Sequence, residues 1–213
     1  MAVTSKPHPD GAISLASDHF TLFGLPQRFE LDVEALTEAW RRLQAAVHPD
    51  RFAGAGAAQA RLAMQWSSQI NEAYRTLKDP QSRAAYLCEL RGAPIDAHRN
   101  TAMPTRFLMQ QMAWREELAE AREQGTDHAL DRLAMEVDAA RDATLASLHA
   151  LLDDTPDDRQ AALAAADQVR VLMFIDRFRQ DLGIRSRTAA STPSHSIGQQ
   201  QAQAMTNDGQ RAA

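Results

Sequence analysis

Apolar residues recur at helical spacing through most of the chain, and segments that alternate at strand spacing are nearly absent. Asp18–Gly24 (DHFTLFG) reads as a short first helix stopped by Gly24 and Pro26. Asp32 is a good N-cap for a second helix, with Leu31 and Leu36 at the staple positions that fix the chain's entry angle. Leu36, Trp40, Leu43 and Val47 then repeat on one face until Pro49 pushes His48 out of helical geometry. After a Gly/Ala loop at Ala53–Ala58, the next helix carries Leu62, Trp66, Ile70, Ala73 and Leu77 on one stripe. Asp79-Pro80 reads as a cap followed by proline at the first helical position of a shorter helix, which reaches about Arg91 before Gly92 and Pro94.

Three longer helices follow a segment with the look of a linker, Ala93–Met103. The first runs from about Pro104 to Glu123 with Phe107, Trp114, Leu118 and Ala121 as its seam, and Gly125 stops it. The second, capped by Thr126 or Asp127, keeps Leu130, Leu133, Val137, Ala140, Thr144, Leu148 and Leu151 in a near-heptad seam. Thr155-Pro156-Asp157-Asp158 reads as the start of the third: a cap, proline at the first position and acids facing the positive end of the dipole. Its seam is Ala165, Val169, Leu172 and Ile175, and it runs to about Leu182 with Gly183 as its stop. The pattern predicts an all-α protein. A compact helical domain over 18–92 is joined by a linker over 93–103 to a three-helix bundle over 104–184. Residues 1–17 and 185–213 lack periodicity and are expected to be disordered tails.

The bulk numbers narrow the function. At 213 residues the chain can bury a real core, and 44% hydrophobic with 24% charged content is ordinary for a globular protein. A net charge of -5 offers no broad basic field for nucleic acid. No apolar run is long enough to span a bilayer, and the N-terminus lacks the order of a signal peptide, so a cytoplasmic protein is expected. With Cys88 alone, no intramolecular disulfide forms, and no Cys/His group has zinc spacing. No cofactor or metal site is expected. His98, His128 and His149 have no acid/base or metal partner at suitable spacing, and there is no Gly-rich phosphate loop, so an enzyme is disfavoured.

The connection after the second helix reads HPDRF, His48–Phe52. Taken alone, His48-Pro49-Asp50 can be a helix terminator. Arg41 and Arg42 lie off the Leu36/Trp40/Leu43 seam, and Arg51 adds charge beyond the loop. These arginines are either a solvated helix face or a basic surface for a charged partner. The segment resembles a J domain, the module that switches on the ATPase of DnaK-type chaperones. The resemblance implies that His48, Pro49 and Asp50 contact the chaperone, with Asp50 pairing a partner arginine and Arg41, Arg42 and Arg51 on acidic partner surface.

The likeness extends further. DHFTLFGLP at Asp18–Pro26, INEAYRTLKDP at Ile70–Pro80, RAAYL at Arg83–Leu87 and FLMQQMAWREEL at Phe107–Leu118, with HPDRF, stand in the order of the HscB family of iron–sulfur cluster co-chaperones. Independently of that likeness, Leu108, Met109 and Met112 add apolar surface beside the Phe107/Trp114 seam, and Glu116 and Glu120 continue their line. This is either a wide buried face or an adaptable partner surface. Phe174 falls to one side of the last helix's seam, as a core phenylalanine or a contact residue. The resemblance implies that Leu108, Met109, Met112, Glu116, Glu120 and Phe174 bind an IscU-type scaffold, which the chain would deliver to an HscA/DnaK-type chaperone without doing chemistry itself. Ala113 and Val47 depart from the family pattern, standing where an acid and an aromatic are expected. The alternative is a J protein serving another client.

Overall fold

The computed structural model describes residues 14–48, 56–95, 104–125 and 127–183. Pro49, Asp50 and Arg51, both outer tail segments, most of the expected linker and the Thr126 cap lie outside these residues. The described residues form helices: α1 His19–Phe23, α2 Val33–Val47, α3 Ala57–Lys78, α4 Pro80–Leu90, α5 Thr105–Gln124, α6 Asp127–His149 and α7 Arg159–Asp181, with one turn of π-helix at Ala150–Asp154 between the last two.

Local chemistry sets most of the boundaries. The Asp18 carboxylate accepts from the backbone N–H of Phe20 and Thr21, and Asp32 does the same for Glu34 and Ala35. Gly24 closes α1 at φ 68°, where a Cβ would be strained. Asp79 caps α4 with Pro80 just behind it. The start of α7 departs from expectation. Asp158, not Thr155, caps the helix through Gln160 N–H, and Pro156 lies outside it. The Thr155 hydroxyl instead donates back to Leu151 O. Three capping side chains compete within TPDD, and the first of them, Thr155, bonds back into the π turn.

Among the described residues, two hydrophobic cores form. One contains Phe20, Leu22, Leu36, Ile70, Leu77 and Leu87 from α1–α4, but also Leu148, Leu152, Ala165, Val169 and Leu172 from the C-terminal helices. The second gathers Phe107, Trp114, Leu118, Leu133, Val137, Val171, Ile175 and Phe178 from α5, α6 and α7. Helix α7 serves both. The expected seams of α5 and α7 are buried throughout. On α3 the stripe is displaced at its start, because Leu62 is exposed and Ala63 is buried. Small Ala63 lets the helices approach, while Leu62 points to solvent. Within the expected linker, Ala93 is buried and Ile95 packs on the first core. Within the expected N-terminal tail, Ser14–Ser17 closes a turn and Leu15 O accepts from Gln69 Nε2 at 2.6 Å.

Polar contacts tie the early loop and α4 to the C-terminal helices. Asp153, in the π turn, accepts from Phe29 N–H at 2.6 Å and Glu30 N–H at 2.7 Å. Buried Arg83 donates to Phe29 O and Leu77 O and lies over the Phe29 ring. Arg91 donates to Leu152 O at 2.6 Å. Each link satisfies backbone groups that a buried junction would otherwise strand.

Candidate partner-binding sites

The first site is built on the α2/α3 pair. A ladder of polar side chains holds the helices in register. Thr37 Oγ1 lies 3.2 Å from the Tyr74 hydroxyl, and Trp40 Nε1 donates to Asn71 Oδ1 at 3.0 Å. Gln44 Nε2 donates to the same Asn71 oxygen at 2.6 Å, while Ser67 Oγ donates to Gln44 Oε1 at 3.1 Å. Trp40 stacks on Tyr74 with centroids 4.8 Å apart. Trp40, Leu43 and Val47 pack half-buried on the core, which leaves Arg41 and Arg42 exposed. His48 caps α2 at φ -57°, ψ 128° and is exposed. The backbone therefore leaves the helix at the residue before Pro49, as the restriction on a pre-proline residue demands.

The electrostatics of this face register on Tyr74. Burial raises its hydroxyl pKa, but hydrogen bonds with Thr37 and Lys78 and the charges of Lys78 and Arg41 bring it below the ordinary tyrosine value. Arg41 thus contributes positive potential on this side of the hairpin.

The second site is on α5. Leu108 is 42% exposed, Met109 69% and Met112 71%, so the open choice made from spacing resolves toward an exposed apolar patch. Glu116 and Glu120 are exposed beside it. Alpha-helical geometry puts Met109, Glu116 and Glu120 opposite the buried Phe107/Trp114/Leu118 seam, with Leu108 and Met112 nearer one edge. The scaffold behind the patch is firmly held: Trp114 is buried and its Nε1 donates to Glu136 Oε1 at 2.8 Å, and Glu117 pairs with Arg132 at 2.6 Å.

Phe174 packs on the second core without being fully covered. It is half-buried, edge-on to Phe107 at 5.5 Å and stacked on Phe178 at 6.1 Å, yet it keeps an accessible edge. The Arg115 guanidinium lies 5.6 Å over its ring. Sequence reasoning missed Arg115, although it shares the Leu108/Met112 edge by helical spacing. Arg115 also lines a shallow cleft of about 290 Å³ with Leu118, Ala119, Arg122, Phe178 and Asp181.

Comparison with known proteins gives these surfaces a context. Residues 18–86 match the DnaJ domain family, and residues 103–183 match the family described as the HSCB C-terminal oligomerisation domain. Fold and matches together define a J-domain co-chaperone, a protein that works with an Hsp70-type partner and is not itself an enzyme. A curated co-chaperone protein HscB homolog from Burkholderia mallei (strain SAVP1) is 50% identical over 171 residues, covering 80% of this chain and 95% of the relative. One from Bordetella avium (strain 197N) is 50% identical over 167 residues, with 78% and 96% covered. The chain belongs to the HscB co-chaperone family. The solved structure of chaperone HscB from Vibrio cholerae is similar at 40% identity and a TM-score of 0.66, over 78% of this chain and 96% of that one. Human co-chaperone HscB shares the fold at 24% identity and a TM-score of 0.73, over 81% and 84%.

Proposed function

We propose that this chain is the co-chaperone of an iron–sulfur cluster assembly system in the cytoplasm. His48, Pro49 and Asp50, with Arg41, Arg42 and Arg51, engage an HscA/DnaK-type chaperone and favour the conformation that hydrolyses ATP. Leu108, Met109, Met112, Glu116, Glu120 and Phe174 hold an IscU-type scaffold as client. Carrying both sites in one chain raises the effective concentration of client at the chaperone. The organisation into units of 18–92 and 104–184 belongs to the same reading. The observation that supports it most is the exposure of Leu108, Met109 and Met112 on a rigid helix. A wet methionine-rich patch on an otherwise well-packed bundle suits an adaptable protein interface. The absence, among the described residues, of a helix long and apolar enough to cross a membrane is compatible with the cytoplasm.

The test is single-turnover ATP hydrolysis by an HscA-type chaperone, with the chain added alone and with the scaffold. Stimulation that grows synergistically with scaffold is expected. Stimulation indifferent to scaffold would mean another client, and none at all would reduce the HPD motif to a turn. His48→Gln is expected to abolish stimulation and leave scaffold binding intact. Met109→Ala with Met112→Ala should weaken scaffold binding at least tenfold and leave stimulation without scaffold unchanged.

A further inference from the structure

Glu30, His149 and Asp153 converge where the loop before α2 meets the end of α6. His149 Nε2 lies 3.3 Å from Glu30 Oε2 and 3.8 Å from Asp153 Oδ2. One donor atom from each residue lies within 4.8 Å of the others. Zinc bonds of about 2.0–2.1 Å in a tetrahedron put donors roughly 3.3 Å apart, so the observed spacing needs only small movements. The movable partners are the exposed ones: the side chains of Glu30 and His149 reach solvent, whereas that of Asp153 is 0% exposed. Backbone N–H groups of Phe29 and Glu30 fix the Asp153 carboxylate, which is the orienting role that outer partners play around metal ligands. A carboxylate oxygen that accepts one such bond keeps a second lone pair for a metal.

The donor chemistry agrees with the geometry. The two carboxylates neighbour Arg28, whose Nε is 4.0 Å from Asp153 Oδ2, and Arg83 lies close enough for the Asp153 charge to act on it. An imidazole with two carboxylates is a borderline N/O donor set that suits zinc better than magnesium or calcium. Three protein ligands and one open position complete four-coordination with water. The π turn makes the arrangement possible, because it carries Asp153 back toward Phe29 within four residues of His149.

We propose that Glu30, His149 and Asp153 form a zinc site that clasps the loop before α2 to the C-terminal helices. The sequence shows only the His149/Asp153 pair, four positions apart, since Glu30 is 119 positions from His149. The probes are Co²⁺ and Zn²⁺ added to the EDTA-stripped full chain. The expected result is a visible band of four-coordinate Co²⁺ that saturates at one ion per chain, is displaced by Zn²⁺, and accompanies a rise in melting temperature. Glu30→Gln and His149→Gln should each weaken binding at least tenfold and abolish the Zn²⁺-dependent rise. Both side chains are exposed, so melting in EDTA should match the wild type and separates ligation from folding. Asp153 is left intact because it also holds the loop. A Co²⁺ band unchanged by either substitution would place the metal on other histidines and overturn the proposal. So would the absence of any band or melting shift at about millimolar metal.

Discussion

His19 is half-buried, against its own chemistry. Its ring stacks on Tyr86 with centroids 4.3 Å apart, and its Nδ1 is enclosed without a hydrogen-bond partner. Burial lowers its pKa below the ordinary histidine value of 6.5, although the charges of Glu72, Asp18 and Glu89 oppose the shift. The unfolded chain then binds this proton more readily than the folded one. Stability should therefore fall as pH drops through 6.5, and the loss should level off below the folded-state pKa. Asp18 acts in a separate window. Burial raises its pKa, but hydrogen bonds from Thr21 and Phe20 outweigh that and hold it below 3.8, so its contribution persists until the pH is lower still. Urea unfolding at pH 7.5 and 5.5 checks the first point. The wild type should lose stability between the two, and His19→Phe, which keeps the stack without the proton, should lose less. The same scale separates residues of the client patch. Met109→Ala and Met112→Ala should change stability by no more than about 0.5 kcal/mol, because both side chains are exposed. Phe174→Ala should cost about 1–3 kcal/mol, because it breaks an aromatic cluster with Phe107 and Phe178. Loss of binding in the methionine variants is therefore the cleaner sign of an interface.

The α2/α3 pair shows how an element can be rigid without a fully apolar seam. Asn71 Oδ1 accepts from both Trp40 Nε1 and Gln44 Nε2, so one amide holds two residues of α2. Asn71→Leu would strand the Trp40 indole N–H at a half-buried interface, while Gln44 Nε2 keeps its bond to Ser67 O, and should cost about 1–2 kcal/mol in urea unfolding. It should also reduce chaperone stimulation, because the C-terminal end of α2 presents His48. Helix existence was legible here because the Leu36/Trp40 and Ile70/Leu77 repeats are strong, and caps such as Asp32 and Asp79 have few rivals nearby. The start of α7 was not, because Thr155, Pro156, Asp157 and Asp158 offer competing solutions, and Asp158 is the one that accepts from Gln160 N–H. The exposed patch on α5 was half legible. Periodicity showed more apolar surface than one seam uses, but whether a third helix covers it is a tertiary fact. Arg115 was invisible for the same reason: its meaning is its position over Phe174, 59 residues away in the chain by their numbers.

At the scale of the whole molecule, α7 joins what sequence pattern divides. Leu172 lies in the core shared with Leu36, Ile70 and Leu87, while Ile175, one turn on, lies in the core of Phe107 and Trp114. Arg83, Arg91 and Asp153 add hydrogen bonds near the same junction. None of these links is local, so no periodicity could announce them. Their energetic consequence is that damage at the junction should spread. Leu172→Ala removes a fully buried side chain and should cost about 2–5 kcal/mol. The three tryptophans make the spread measurable, since Trp40 and Trp66 report on α2 and α3 and Trp114 on the α5–α7 bundle. With Trp114→Phe, fluorescence follows the first region; with Trp40→Phe and Trp66→Phe together, it follows the second. Adding Leu172→Ala to each background should lower the unfolding free energy seen by both reporters by the same amount, in one transition. A bundle signal that stays in place while the hairpin signal moves would mean that the two regions unfold independently despite their common core. The coupled outcome would make α7 the element through which strain at one partner surface reaches the other.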